Sequence, residues 1–302
     1  MYRYNKTSII LKITIAILFI TSLVIECSCE RSDEPKKEST GFITYTLRWD
    51  SVIPGFPAPE KLRYCIYPSE GGPMIQTDGD ANSMMFLPPA TYKILVFNYD
   101  AKNIDFRNMS RFDEAEAYIL QTKATGQASQ GITPLYGFVV DSLEITPGQD
   151  KSGTLVLTPL VRHVTFTVQV DKPEEIKTCK GSLSGVSTSL NLSKRKVVTE
   201  ASTNVEFDME TSDKGVNGDL IILGTALPKE EEQKPVTNQV TIDFTLSDGS
   251  MVSATADLED KLNEIDTPHV NVTINATVEK SPKFTIRLTN WEVGPGEETT
   301  IE

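Results

Sequence analysis

From Gly41 onward the chain alternates apolar and polar residues with a period of two. In GFITYTLRWD, Ile43, Tyr45, Leu47 and Trp49 alternate with Thr44, Thr46 and Arg48. Successive side chains of a strand point to opposite faces, so this is a strand with one apolar face. KLRYCIYPSEGGP predicts a second strand through Tyr67, ended by a Gly-Gly-Pro breaker. TYKILVFNYD, Thr91 to Asp100, is a third, preceded by Pro88-Pro89, and PLYGFVVDSLEITPGQDKSGTLVLTPL holds a pair of strands around Pro147-Gly148. Beyond Pro159, VRHVTFTVQV puts Val164, Phe166, Val168 and Val170 on one face, and TNVEFDM and DLIILG follow. QVTIDFTLSDGSMVSATADL reads as a hairpin with Asp248-Gly249 as a type I′ turn. HVNVTINATV lines up Val270, Val272, Ile274, Ala276 and Val278, and KFTIRLTNWEV closes the series with Phe284, Ile286 and Leu288. Helical periodicity is confined to SRFDEAEAYIL, which Ser110 would cap and which fits a strand equally, and to LEDKLNEI near residues 258–265. Many short strands at regular spacing predict an all-β chain of two tandem β-sandwiches, residues 41–158 and 159–297, with a tail at 298–302.

The first forty residues follow a different rule. Arg3, Lys6 and Lys12 precede Ile13 to Ile25, thirteen residues without a charge. That is the length of a signal-peptide core, short of the roughly 20 apolar residues that cross a bilayer as a helix. Residues 1–28 are therefore expected to be a secretion signal. Residues 29–40 mix charge with Pro and Ser, cannot bury a core, and read as a tether. Between the two lies VIECSCE. Its C-x-C pair fits a metal clip, a redox couple or a lipid-attachment site. A lipoprotein signal needs a small residue before the modified cysteine. Ser28 precedes Cys29, whereas Glu26 precedes Cys27, so Cys29 is the expected lipid-attachment residue and Cys27 the alternative. Glu26 is also the unusual feature of the signal, since an aliphatic residue is normal three positions before the cysteine. Cleavage before Cys29 removes Cys27, and the metal and redox readings lose their second ligand.

Composition narrows the remaining chemistry. Of 302 residues 39% are hydrophobic and 24% charged, which suits a folded chain, and a net charge of −13 with no Lys/Arg cluster argues against nucleic acid. Cys65 and Cys179 lie far apart and are expected to be buried or free thiols, with a bridge as the alternative. The two histidines, His163 and His269, are expected to be ordinary sheet or loop residues, because no G-x-S-x-G elbow and no zinc-ligand spacing accompanies them. Asp78, Asp80 and Asn82 match the start of an EF-hand loop, but Ser83 and Pro89 stand where Gly and a bidentate Glu are needed. A polar hairpin tip is the expectation there. Lys229 to Pro235, KEEEQKP, reads as a solvated loop. No catalytic, metal or cofactor residues are assigned. Trp49 and Trp291 end predicted strands; buried they would cap a core, and exposed they would stack on sugars.

Taken in order, these features resemble a Bacteroidales surface-lipoprotein family of unknown function allied to FimB-type fimbrillin anchor and accessory proteins. The residues that carry the resemblance are GFITYTLRWD, YCIYPSEGG and LPPATYKILVFNYDAKNIDFRN (Leu87 to Asn108), then VRHVTFTVQV, GSLSGVSTSLNL, VTIDFTLSDGS and FTIRLTNWEVGPGEE. It spans about residues 41–297. The resemblance implies transthyretin-like sandwiches, no catalysis, and outer-membrane attachment through the N-terminal lipid, facing the cell surface. It also implies adhesion or fimbria assembly with fimbrillin subunits or other surface proteins as partners. Glu30, Asp33 and Glu34 resemble the surface-export signal of Bacteroidetes lipoproteins. Only GPGEETTIE follows the last strand, and it is short for a donor strand. That favours an anchor over a polymerising shaft subunit. A glycan-binding surface lipoprotein using aromatic platforms is the alternative.

Overall fold

Period-two patterning becomes two sheets in the computed structural model. It describes residues 40–295 apart from 50–51, 81–82, 121–130, 227–237, 259–260, 265–266 and 281–283. Seven strands form the first sheet: β1 (Gly41–Trp49), β2 (Leu62–Pro68), β3 (Ile75–Gly79), β4 (Met84–Leu87), β5 (Ala90–Asn98), β8 (Tyr136–Ile145) and β9 (Asp150–Pro159). Their order is β3-β2-β5-β8-β9-β1-β4. The second sheet runs β15-β14-β11-β12-β13-β10-β16-β17. It is built from β10 (Arg162–Val170), β11 (Ile176–Asn191), β12 (Lys196–Ser212) and β13 (Gly215–Ile222). β14 (Gln239–Leu246), β15 (Met251–Asp257), β16 (His269–Lys280) and β17 (Phe284–Pro295) complete that path. The hairpin of β6 (Ile104–Arg107) and β7 (Glu116–Ile119) adds to it through β11.

The Pro147-Gly148 turn joins β8 to β9, yet these strands pair only at their far ends, Tyr136 with Pro159 and Gly137 with Thr158. For the rest of their length β8 pairs with β5, and β9 lies parallel to β1. A turn signal thus fixed the connection but not the partner. The predicted type I′ turn is corrected in the same way. Gly249 has φ +83°, but Asp248 is not among the positive-φ residues, and a type I′ turn needs both. The Asp248 carboxylate instead accepts bonds from the Ser250 N–H at 2.9 Å and hydroxyl at 2.6 Å, an Asx-type clamp that keeps Asp248 out of the left-handed region.

Where strands are buried on both faces, alternation disappears. Tyr64 through Tyr67 on β2 and Ile94 through Phe97 on β5 are all buried. Residues 104–119 supply part of the second cover: Phe106 packs on Phe97 at 4.6 Å, Phe112 meets Tyr67 edge-on at 5.5 Å, and Tyr67 donates to the Met109 carbonyl at 2.8 Å. Of the two segments with helical periodicity, SRFDEAEAYIL makes only a 3-10 turn, Phe112–Glu114, capped by Arg111 without a side-chain bond, before becoming β7. Buried Ala115, Ala117 and Ile119 follow a strand's period there. LEDKLNEI contributes the short helix Lys261–Glu264 with Leu262 buried. In the second sheet, Gly181 and Gly218 flank Phe207; a Cβ at Gly181 would sit 2.2 Å from that ring. The space lets Phe207 stack on Phe166 at 4.8 Å. Cys65 and Cys179 are free and buried, as expected, and burial pushes their thiols up, to about 12 and about 11.

One polar node holds the end of β1, the loop after it, β5 and β8 together. Buried Asn98 donates to the Pro134 carbonyl at 3.1 Å and to Asp100 at 3.0 Å, and its own oxygen accepts from the Tyr136 N–H at 2.7 Å. The Tyr136 hydroxyl accepts from the N–H of fully buried Ile53 at 2.9 Å, and its ring meets Trp49 edge-on at 5.3 Å. Tyr136→Phe leaves the Ile53 N–H buried without an acceptor, at a cost of about 1–3 kcal/mol. Denaturant unfolding should show a lower midpoint at unchanged slope; an unchanged midpoint would reject the node.

Candidate functional site

The residues singled out in the sequence fall in different places. Trp49 is half-buried, packed on Tyr136 and the core. Trp291 lies on β17 opposite Ile274, and its side chain is outside the described residues. Cys27, Cys29 and residues 229–235 also lie outside them. Asp78 on β3 is engaged by Arg63 on β2 in a two-point ion pair, at 2.8 and 2.9 Å, which holds its carboxyl below the usual range. That carboxylate is occupied in the sheet rather than presented to a cation.

The histidines, by contrast, come together. Each opens a strand whose following apolar residues face inward, so by alternation both rings stand on the outward face of the second sheet. β10 and β16 are parallel neighbours with His163 and His269 in register, and the rings meet edge-on at 5.7 Å. Both are nonetheless buried, beside a cavity of about 630 Å³ lined also by Pro54, Gly55, Phe56, Thr165, Asp219 and Asn271. The residues opposite the sheet are delivered by a tight turn. Ile53 is anchored by Tyr136, Phe56 N–H bonds back to the Ile53 carbonyl at 3.1 Å, and Gly55 has φ +80°. Pro then Gly with positive φ at the third position makes a type II turn, which leaves Phe56 partly exposed at its end.

Asp219 on β13 is the charged centre of this cavity. Its Oδ1 accepts from His163 Nε2 at 2.9 Å and from the Thr165 hydroxyl at 2.8 Å. A carboxylate only accepts, so Nε2 carries the proton. The His163 bond, opposed by partial burial and aided by Thr165, holds the Asp219 carboxyl below the ordinary carboxylate range. A hydrolytic triad needs the imidazole between hydroxyl and carboxylate. Here the carboxylate lies between them, so the Thr165 proton goes to Asp219 and the hydroxyl is not activated.

Along the same three strands, a second cavity of about 610 Å³ is lined by Thr167, Gln169, Asn217, Asn275 and Thr277 among others. Thr165 and Thr167, Asp219 and Asn217, and Asn271 and Asn275 are same-face positions on β10, β13 and β16, so the two cavities lie end to end. Side chains along this part are mostly amide and hydroxyl, with Asp171 and Lys214 at the far end of the second cavity. On β11 and β12 the same face carries charge, with Lys180 opposite Asp208 and Glu206 and Glu210 nearby.

A separate feature is the edge of the first sheet. Among the described residues no strand lies beyond β4. Met85 and Leu87 point inward, while Met84 and Phe86 are 53% and 62% exposed, and Phe86 pairs with Phe42 on β1 at 5.9 Å. The opposite edge, β3, is guarded by the Arg63–Asp78 pair. MMFL has no apolar/polar alternation, so both the outward position of Phe86 and its place at an edge come from the strand order.

A family model described as a domain of unknown function, DUF5119, matches residues 28–208. A curated relative described as the candidate fimbrium anchoring subunit Fim4B of Bacteroides ovatus is 24% identical over 212 residues. That match covers 66% of this chain and 62% of the relative, so the chain spans less than two thirds of that protein's length. Among solved structures, a candidate adhesin from Bacteroides ovatus superposes with a TM-score of 0.59 at 20% identity, over 87% of this chain and 97% of that one. The fimbrial anchor protein Mfa2 of Porphyromonas gingivalis gives 0.57 at 12% identity, over 87% and 100%. At these identities the structures share the fold.

Asp219 generates a pH prediction. Its folded-state pKa is depressed, so its contribution to stability is present above the unfolded value of about 4 and is lost as pH falls through the folded value. Asp219→Asn should therefore melt below wild type at pH 6, with the gap closing under about pH 4. A gap that stays constant down to pH 2 would contradict the assignment.

Proposed function

This chain belongs to the DUF5119 family, and from that premise we propose that it is a non-catalytic, lipid-anchored outer-membrane protein of the cell surface that serves as a fimbrial anchor or accessory subunit. Its partner is a fimbrillin-type subunit, and the contact is strand pairing at β4. In this reading the two sheets belong to tandem transthyretin-like sandwiches divided at Pro159, and the lipid sits on Cys29. The description of the Bacteroides relative as an anchoring subunit, and the fold shared with a fimbrial anchor, support the role.

The observation that carries it is the β4 edge. Sheet edges that must stay monomeric are blunted by shortness, charge, proline or bulges; β4 is short, but its four residues carry no charge, proline or bulge. They present unpaired main-chain groups beside exposed Met84 and Phe86, which suits an extended partner segment with alternating apolar side chains. Backbone bonds would supply most of the attraction, and Phe42 and Phe86 would set the register. The acidic tether directly after Cys29 matches the surface location, and the several acyl chains of a bacterial lipoprotein hold where one would be marginal.

Two measurements test this. Met84→Asp with Phe86→Asp should cut recovery of the fimbrial subunit with this protein, read by immunoblot of purified outer membranes, by about tenfold or more while circular dichroism stays unchanged. Equal recovery removes β4 from the reading. Palmitate label should be present on wild type and on Cys27→Ser and absent from Cys29→Ser; full label on the last would move the anchor elsewhere.

A further inference from the structure

We infer that the outward face of β10, β13 and β16 is a binding groove for a neutral oligosaccharide, running from Phe56 and Asp219 at one end towards Gln169 and Asn275 at the other. It goes beyond the strand-pairing role and uses a different surface.

The chemistry of the lining selects the ligand class. Asp219 and the lone pairs of Thr165 accept, while Asn271, Asn217 and Gln169 each both donate and accept. An anion would meet the Asp219 carboxylate and no cation at that end. A cation would find Asp219, whose Oδ1 already accepts two hydrogen bonds, at one end and Asp171 offset by Lys214 at the other, so neither sign of charge is favoured along the groove. A metal ion is disfavoured too, because no cluster of three suitable ligands exists among the described residues. A ligand rich in hydroxyls, each a donor and an acceptor, matches the mixed set. A peptide strand matches less well, since β10 and β16 are flanked by strands on both sides and β13 is so over Gly215–Gly218, which leaves mainly side chains to meet a ligand.

Phe56 supplies the second element. Its ring is 37% exposed at the mouth of the cavity, on a turn fixed by Gly55, by the Ile53 carbonyl and by Tyr136. A ring held in place loses little freedom when the apolar C–H face of a sugar lies on it. The sheet beneath is equally fixed, because the inward faces of the three strands are core. Length fits a chain of sugars: eight steps from His163 to Asp171 at about 3.3 Å each give about 26 Å. The charged outward face of β11 and β12 bounds the groove on one side.

The experiment uses full-length protein in detergent and calorimetric titration with neutral hexasaccharides of glucose, mannose, xylose and N-acetylglucosamine. At least one is expected to bind with Kd below about 1 mM. Phe56→Ala and Asp219→Asn should each weaken it about tenfold, whereas Phe86→Asp should leave it unchanged. Phe56 is exposed, so its variant should fold normally. No binding to any of the four, or binding that neither Phe56→Ala nor Asp219→Asn weakens, would overturn the inference. Because the β4 variants are read on fimbrial recovery, failure of one idea leaves the other standing.

Discussion

The bond from the Ile53 N–H to the Tyr136 hydroxyl fixes more of this molecule than its size suggests. Tyr136 begins β8, is tied by its own N–H to Asn98 at the end of β5, and receives Trp49 at the end of β1. Three strand ends therefore share one buried phenol. Its hydroxyl sets where the chain leaves the first sheet, and the four-residue type II turn Ile53–Phe56 follows immediately. That turn carries Phe56 to the histidine pair of the second sheet. The reach to the second sheet is thus made by a hydrogen-bonded turn within the segment that links β1 to β2, and a turn held this way has few conformations to lose.

A second bridge comes from residues 104–119. They cover the outer side of β2 and β5 with Phe106 and Phe112 and then pair through β7 with β11. Burial on both faces removes the polar positions from β2 and β5, and the ladder to β11 satisfies the backbone of the covering segment. Once these two bridges are made, the surfaces left over differ in kind. The edge at β4 offers main-chain groups and apolar side chains. The outward face of β10, β13 and β16 offers mostly amides and hydroxyls, with its main-chain groups largely paired in the sheet. One suits strand pairing and the other suits hydroxyl recognition, so the two can operate without competing.

Family membership and the shared fold do not select residues. Trp49, a candidate stacking ring by type, is half-buried against the core with its ring set edge-on to Tyr136. Phe56 carries no comparable signal. It is one aromatic residue in VIPGFPAPE, a stretch that reads only as a loop.

Alternation along the chain determined the all-β class and strands such as β1, β10, β14 and β16 with their inward residues, since a half-buried strand can satisfy its side chains only with period two, whereas β3, β4, β6 and β11 carried no such signal. It determined Val164, Phe166, Val168 and Val170 as an inward row, and by the same rule put His163, Thr165 and Thr167 on the other side. Partners were not determined. That β9 leaves β8 for β1, that β10 and β16 lie parallel with their histidines side by side, and that β4 is an edge all depend on pairings between residues far apart in the chain. Local sequence fixes which face a residue occupies. Which strand lies beside it is decided by the burial of the whole core, and that sum exists only in the folded molecule.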